Sequence, residues 1–475
     1  METGDRAPAA SLSLLDATMV GVGAMIGAGI FVLTGLAAET AGAGAIVVFA
    51  LNGGVTTVTA LSYAELASAI PKNGGGYAYV YEAFPDPVSF VMGWTRWFTY
   101  ASAGALYALG FASNFVEFVH LYWKGLPASP GWELAYALGA VGTFVALNAF
   151  STEASGGAET LVTLVKVAIL GVFILFGIGA VQAGKFKPFF PAEGGAWTVL
   201  PAMGLTFIAF QGYDLIATVT EEVENPQKNI PRSIFLSLGA TVVIYLLVVG
   251  VSIGTLGPER LGAAGETAVA KAAVGFMPDI GVFGASLGAA LIAFGAVFST
   301  ISALNAVVIG SSRVAFAMGR EGHLPEQLGN LHHRYGTPFV AILASAAVML
   351  LATAFAPIKV VGNLASLFSL LGFIVVNLAV IRLRWDQPNL SRPFRVPFYP
   401  VTPVLGCALN LLLALYISPR TWMVAGGWLA VGGGVYLALN PNMLRGAQPA
   451  GAESSNPEPP NTDGGNASAS TGDDN

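Results

Sequence analysis

Long apolar stretches recur along almost the whole chain, separated by short joins rich in Pro, Gly and charged residues. Roughly 20 apolar residues suffice to cross a bilayer as a helix. On that measure spans fall near 14–38, 43–70, 87–116, 132–150, 159–182, 198–221, 232–256, 280–312, 338–356, 360–382, 400–418 and 421–440. The joins include PKNGGG at 71–76 and ENPQKNIPRS at 224–233. The pattern predicts an all-α integral membrane protein with twelve transmembrane helices. A short segment, 1–12, precedes the transmembrane domain, 13–441, and a tail, 442–475, follows it. From Gly446 onward the tail is polar, rich in Pro, Gly and Ser, and without large apolar groups, a composition that predicts disorder.

Composition agrees with a lipid environment. Of 475 residues, 55% are hydrophobic and 10% charged, against about 25% charged in a soluble protein. Too few charges remain to cover a water-soluble domain of this size. The 59 glycines suit helices packed closely in lipid. A single cysteine, Cys407, excludes an intramolecular disulfide, a thiolate metal cluster and a CxxC redox pair. The N-terminus lacks a basic region followed by a short apolar core and cleavage site, so no signal peptide is expected. Lys and Arg set the orientation. With the N-terminus inside, twelve fall on the cytoplasmic side and seven outside, and the clusters at 313–334 and 382–395 both fall inside. Both termini are then cytoplasmic.

Two spans contain features that weaken a helix. The first holds GVGAMIGAGIF, with Gly21, Gly23, Gly27 and Gly29, and the sixth holds TFIAFQGYD, with Gln211, Gly212 and Asp214. Gly costs about 1 kcal/mol relative to Ala within a helix, so unwinding there is cheap. In lipid an unwound backbone survives only when buried in protein or lining a cavity. Its freed N–H groups suit a carboxylate and its freed carbonyls an ammonium, the two ends of an α-amino acid. Taken singly, each glycine run is equally consistent with close helix packing, and Gly23 and Gly27 have GxxxG spacing. The pairing of positions one and six, as two five-helix repeats would place them, favours a site. A dinucleotide fingerprint is excluded, because it needs a strand and a soluble βαβ unit around its glycines.

The segments GVGAMIGAGIFVLTG (21–35), SYAELASAIPKNGGGYAYVYEAF (62–84), FIAFQGYDLIATVTEEVENPQKNIPRSI (207–234) and SSRVAFAMGREGHLP (311–325) resemble the amino acid–polyamine–organocation superfamily. The resemblance is greatest to its ApcT-like and cationic-amino-acid-transporter-like permeases and covers roughly residues 10–440. It implies the LeuT-type fold. An inverted repeat would comprise helices 1–5 (about 13–182) and 6–10 (about 198–382), with helices 1 and 6 discontinuous and helices 11–12 (about 400–440) appended. The family's carboxylate contacts match the main-chain N–H groups of Met25, Ala28 and Gly29, and its ammonium contacts match the carbonyls of Ile208, Ala209 and Gln211. Relatives often carry Ser or Thr where this chain has Ala28. Gly23, Gly27 and Gly212 are the expected helix-break glycines.

Ionisable residues within spans default to functional hypotheses. Lys166 lies seven residues beyond Glu159, or about 10 Å along a helix at 1.5 Å per residue. Two readings stand: a side chain reaching for the interface, or an ammonium replacing a coupling sodium ion. In ApcT-like members a lysine at the matching place fills the sodium site between helices one and eight. Its expected neighbours are carbonyls near Val22 and Gly23 and a hydroxyl of Ser299 or Thr300. That reading implies proton coupling. Asp214 is either a titrating group or a cap of the lower half-helix, with capping favoured. Arg96, flanked by Trp94 and Trp97, reads as an interfacial anchor. Glu65 and Glu82 read as partners of basic loops, and His323, His332 and His333 as solvated loop residues.

The substrate pocket is expected from helices 3, 6, 8 and 10, with Phe207, Phe210 and Tyr213 as pocket or gate residues or as core. No acidic residue lies clearly within helices 3, 8 or 10, which favours a neutral, small-to-medium amino acid. Cationic amino acids or polyamines, sodium coupling, and a substrate-sensing role are the alternatives. No pore loop, P-loop or nucleophile–base pair is present, so a channel, an ATP-driven pump and an enzyme are disfavoured. Neither a cofactor, a metal nor nucleic acid is implied. The expected partners are an amino acid, protons or sodium, and the bilayer of the cell membrane, with the protein a monomer or homodimer.

Overall fold

The computed structural model describes residues 12–72, 74–150, 156–278, 281–282 and 285–440. Most of the N-terminal segment and the whole tail 442–475 lie outside the described residues. The chain forms helices α1 (Leu14–Met25), α2 (Gly29–Ala41), α3 (Ala45–Ala69), α4 (Gly75–Ala83), α5 (Asp86–His120), α6 (Pro130–Phe150) and α7 (Gly156–Gly177). After a loop with short 3-10 turns come α8 (Val199–Thr206), α9 (Pro226–Leu256), α10 (Pro258–Ala263) and α11 (Ala268–Val274). The last five are α12 (Leu287–Arg320), α13 (Phe339–Phe355), α14 (Ile358–Asp386), α15 (Val401–Leu415) and α16 (Pro419–Leu439). A pair of two-residue strands, Gly281–Val282 and Ala285–Ser286, precedes α12 and is a small departure from an all-helical chain.

Eight helical stretches among the described residues are long and apolar enough to cross a membrane. The first of these, Leu14–Ala69, contains α1, α2 and α3, while α13 and α15 are apolar but shorter. Each expected span coincides with a helix or a broken pair of helices. The expectation missed α4, α10 and α11, which lie in the joins. Turns at Gly74 and Gly75 (φ +111° and +54°) set α4 off from α3, and Gly257 (φ +85°) ends α9 before α10.

Local chemistry starts and stops these helices. Ser13 caps α1 in a capping box, its hydroxyl accepting the Asp16 N–H at 3.2 Å while Asp16 accepts the Ser13 N–H at 3.1 Å. Buried hydroxyls satisfy themselves within their own helices, as Thr34 does on the Ile30 carbonyl. Long-range polar contacts tie helices together: Asn52 on α3 donates to the Met203 carbonyl and the Thr206 hydroxyl, both at 3.1 Å.

Two groups of helices frame the centre. α5 packs chiefly along α12 and α14, whereas α1 packs along α9, α7 and the 3-10 segment Tyr213–Glu222. Gly29 permits closest approach of the two interrupted spans. A Cβ there would lie 2.8 and 2.9 Å from the Cβ and Cα of Ala209.

At one end of the bundle Glu65 is buried and receives Arg384 (Nε, 2.8 Å), Arg392 (Nε, 3.4 Å) and the Val396 N–H (2.7 Å). Glu82 pairs with Lys72 instead. Both carboxylates thus find the basic joins. His323 does not behave as expected. Gly322 (φ +75°) turns the chain sharply after α12, and the His323 ring is buried between the Tyr77 hydroxyl (3.0 Å) and Asp86 (2.8 Å). His333 is exposed as expected, whereas His332 is half-buried, its ring stacked on Tyr335.

Gly29→Ala should lower stability by about 1–3 kcal/mol, because both breaks must move apart. Gly54→Ala, at a helical site where an added Cβ meets nothing within 4 Å, should leave stability unchanged or raise it. Thermal unfolding in detergent compares the two. Glu65→Ala leaves two arginines facing a buried gap and should cost about 3–5 kcal/mol, read the same way.

Candidate functional site

The first interrupted span loses its helix over three residues. α1 ends at Met25 and α2 begins at Gly29, with Ile26, Gly27 and Ala28 between them. Gly27 lies in the break as expected, but Gly23 does not. It sits within α1, and a Cβ there would strike the Thr163 hydroxyl of α7 at 2.2 Å. Gly23 is a packing glycine.

A helix that stops in mid-membrane leaves carbonyls without partners at its C-terminal end. Side chains from three other helices supply donors. Lys166 on α7 donates from Nζ to the Gly23 carbonyl at 3.3 Å. Ser299 on α12 donates to the Ile26 and Gly27 carbonyls at 2.9 and 2.8 Å. Tyr245 on α9 donates to the Met25 carbonyl. The Val22 carbonyl accepts the Ile26 N–H within the end of the helix. Thr300 turns back onto Ala296 and Val297 of its own helix. Lys166 itself is buried, which removes the reading of an amine reaching for the interface. The amine lies by the C-terminal end of α1, where the helix dipole favours a positive charge.

On the other side of the break, Ala28 precedes α2 without capping it through a side chain. The first N–H groups of α2, from Gly29 onward, therefore lack the intrahelical acceptors that later residues have. They form a small field of donors inside the protein.

The second interrupted span is more irregular. α8 tightens into a 3-10 turn over Phe207–Phe210, Gln211 is extended, and Gly212 adopts φ +143°. A 3-10 segment, Tyr213–Glu222, then takes the place of an α-helix. Gly212 is irreplaceable by geometry as well as by φ, since a Cβ would lie 2.7 Å from the Met25 nitrogen. The two breaks thus touch each other. The Ile208 carbonyl accepts the Gln211 N–H at 3.1 Å, and the Ile208 N–H donates to Ser366 at 3.1 Å. The Ala209 carbonyl accepts the Tyr245 hydroxyl at 2.9 Å. Tyr245 therefore bridges both breaks, a role that nothing in its apolar sequence surroundings announced.

Asp214 accepts the N–H of Gly212, the residue before the Tyr213–Glu222 segment, at 2.9 Å, and no side chain caps that segment, so the expected helix cap is not formed. The other Asp214 oxygen forms a buried ion pair with Arg96. Arg96 is thus no interfacial anchor. Ten residues into α5 it lies about 15 Å along the helix, and its neighbours Trp94 and Trp97 are buried against Trp428 of α16. Two opposite intramembrane charges were the available signal, but nothing local paired them.

A cavity of about 20 Å³, room for a water or two, adjoins the breaks. Its walls are Ala24, Tyr100, Tyr107, Gln211, Leu215, Ala303, Ala306 and Val307. These come from the first, third, sixth and eighth spans. The first span replaces the tenth in the expected set. Phe207, Phe210 and Tyr213 are fully buried but do not line it. Phe210 packs on Phe49 and Tyr245, Phe207 on Phe373, and Tyr213 on Tyr63 and Phe373. They are core residues here. The amide nitrogen of Gln211 is buried beside the cavity without a hydrogen-bond partner among the described residues.

Residues 12–435 match the amino acid permease family. The chain is 31% identical to the methylthioribose transporter of Bacillus subtilis, over 90% of this chain and 93% of that protein. It is 30% identical to the branched-chain amino acid permease BcaP of the same organism, over 91% and 94%. The Asc-type amino acid transporter 1 of Mus musculus is 30% identical over 87% of this chain and 78% of its own length. With its apolar helices and two interrupted spans, the chain is a multi-pass membrane protein that belongs to the amino acid permease family.

Proposed function

We propose that this protein is a secondary active amino-acid transporter that takes neutral, small-to-medium amino acids by alternating access. The observation that carries the proposal is the contact of the two breaks, where Gly29, at the start of α2 that no side chain caps, packs on Ala209 of the Phe207–Phe210 turn. Main-chain dipoles of opposite sense at one place match a zwitterion. In this reading the carboxylate is received by the N–H groups around Ala28 and Gly29. The ammonium is received by carbonyls of Ile208, Ala209 and Gln211, and the side chain enters the cavity beside Gln211. Tyr245 releases the Ala209 carbonyl when the ammonium arrives.

Relatives named for branched-chain amino acids and for Asc-type amino-acid transport support this class of substrate. A relative named for methylthioribose shows that family membership leaves the substrate open. The apolar cavity wall then favours neutral side chains. In this reading the chain crosses the membrane twelve times in a LeuT-type arrangement, with repeats at about 13–182 and 198–382 and two appended helices. Both termini would face the cytoplasm from the cell membrane.

Coupling is assigned to protons through Lys166. Its buried amine holds the Gly23 carbonyl while Ser299 holds the next turn, so α7 and α12 grip the end of α1 together. Loss of the proton weakens the charge-assisted part of that grip and ties titration to movement of α1.

Two experiments test the reading. Among the twenty amino acids, neutral ones should raise the unfolding temperature of the purified protein. Stabilisation by arginine, lysine or polyamines alone would overturn the substrate assignment. In proteoliposomes an inward proton gradient should drive uptake without sodium, and Lys166→Ala should remove that dependence. Sodium-driven uptake that survives Lys166→Ala would refute the coupling.

A further inference from the structure

The Arg96–Asp214 pair stands directly behind the cavity wall. Asp214 lies between Gln211 and Leu215, and Arg96 one helical turn before Tyr100, and all three of these neighbours line the cavity. Side-chain exposure is 5% for Arg96 and 0% for Asp214, so water screens neither. The guanidinium donates to the Tyr100 hydroxyl at 3.4 Å and lies 5.3 and 5.7 Å from the Tyr100 and Phe373 ring centres. One of its nitrogens, Nη1, is buried with no hydrogen-bond partner among the described residues. A cation packed against aromatic faces and paired with one carboxylate is the environment that the head group of a cationic amino acid needs.

We propose that Arg96 is a specificity-determining residue: the chain's own guanidinium occupies the place beside Asp214 that a substrate's cationic head would take, and so excludes cationic amino acids. The proposal rests on the reading of the adjoining cavity as the amino-acid site. No acidic side chain lines the cavity itself, so Asp214 is the nearby carboxylate that Arg96 masks. Asp214 keeps a second task, because its other oxygen fixes Gly212. A neutral Asn at the same position retains an acceptor for that N–H. Charge and break geometry can therefore be separated.

The test compares wild type, Arg96→Ala and the double variant Arg96→Ala/Asp214→Asn as purified full-length proteins. Thermal unfolding is followed with L-arginine, L-lysine, methylguanidinium, methylurea and L-alanine. Arg96→Ala should respond to the three cations at concentrations at least about tenfold below those that affect wild type. It should not respond to methylurea, which has a similar shape without the charge. The double variant should lose the gain. A folded Arg96→Ala no more responsive to cations than wild type overturns the proposal, as does a double variant that keeps the gain. If Arg96→Ala is recovered unfolded, methylguanidinium in the purification buffer should restore it and methylurea should not. Failure of that rescue, with the double variant folded, also overturns it. Stabilisation of wild type by L-alanine reports separately on the amino-acid site, so the two readings fail independently.

Discussion

A main-chain carbonyl in the middle of a bilayer has no water to bond, and this constraint organises the centre of the molecule. Interrupting α1 at Met25 exposes carbonyls that must find donors within the protein. Lys166, Ser299 and Tyr245 supply them from α7, α12 and α9. The break is therefore held from three helices at once. Glycine supplies the other half of the solution. At Gly29 and Gly212 the two interrupted backbones come closer than any side chain would allow.

The same constraint explains why charge is tolerated so deep in the fold. Asp214 is buried, yet it receives a backbone N–H on one oxygen and a guanidinium on the other. A buried pair of this kind gives little net stability, although loss of one partner is costly. What it contributes is geometry. It joins α5, which packs with α12 and α14, to the segment after the second break, which packs with α1 and α9.

Much of this could be read in the sequence, and the failures have physical causes. Interrupted spans one and six were legible because glycine runs and polar residues stand out inside apolar stretches. Lys166 was legible for the same reason, as an amine where hydrocarbon would be cheaper. Gly23 was misassigned because a glycine permits both unwinding and close packing, and only the neighbouring Thr163 decides between them. Arg96 was misread because its flanking tryptophans imitate an interfacial belt, while its partner lies 118 residues away. Tyr245 gave no warning at all. A tyrosine in an apolar run is unremarkable until two carbonyls from distant segments are found at its hydroxyl. His323 was hidden by a turn at Gly322 that sends a loop residue inward.

The Tyr245 hydroxyl carries one proton, and it faces two oxygens, those of Met25 and Ala209. One hydroxyl proton is thus shared between two backbones that meet at this side chain. An ammonium group brings three donors to the same neighbourhood. On the amino-acid reading proposed above, the substrate would bring donors to main-chain oxygens that otherwise share a single proton, a feature of the backbone rather than of any one side chain.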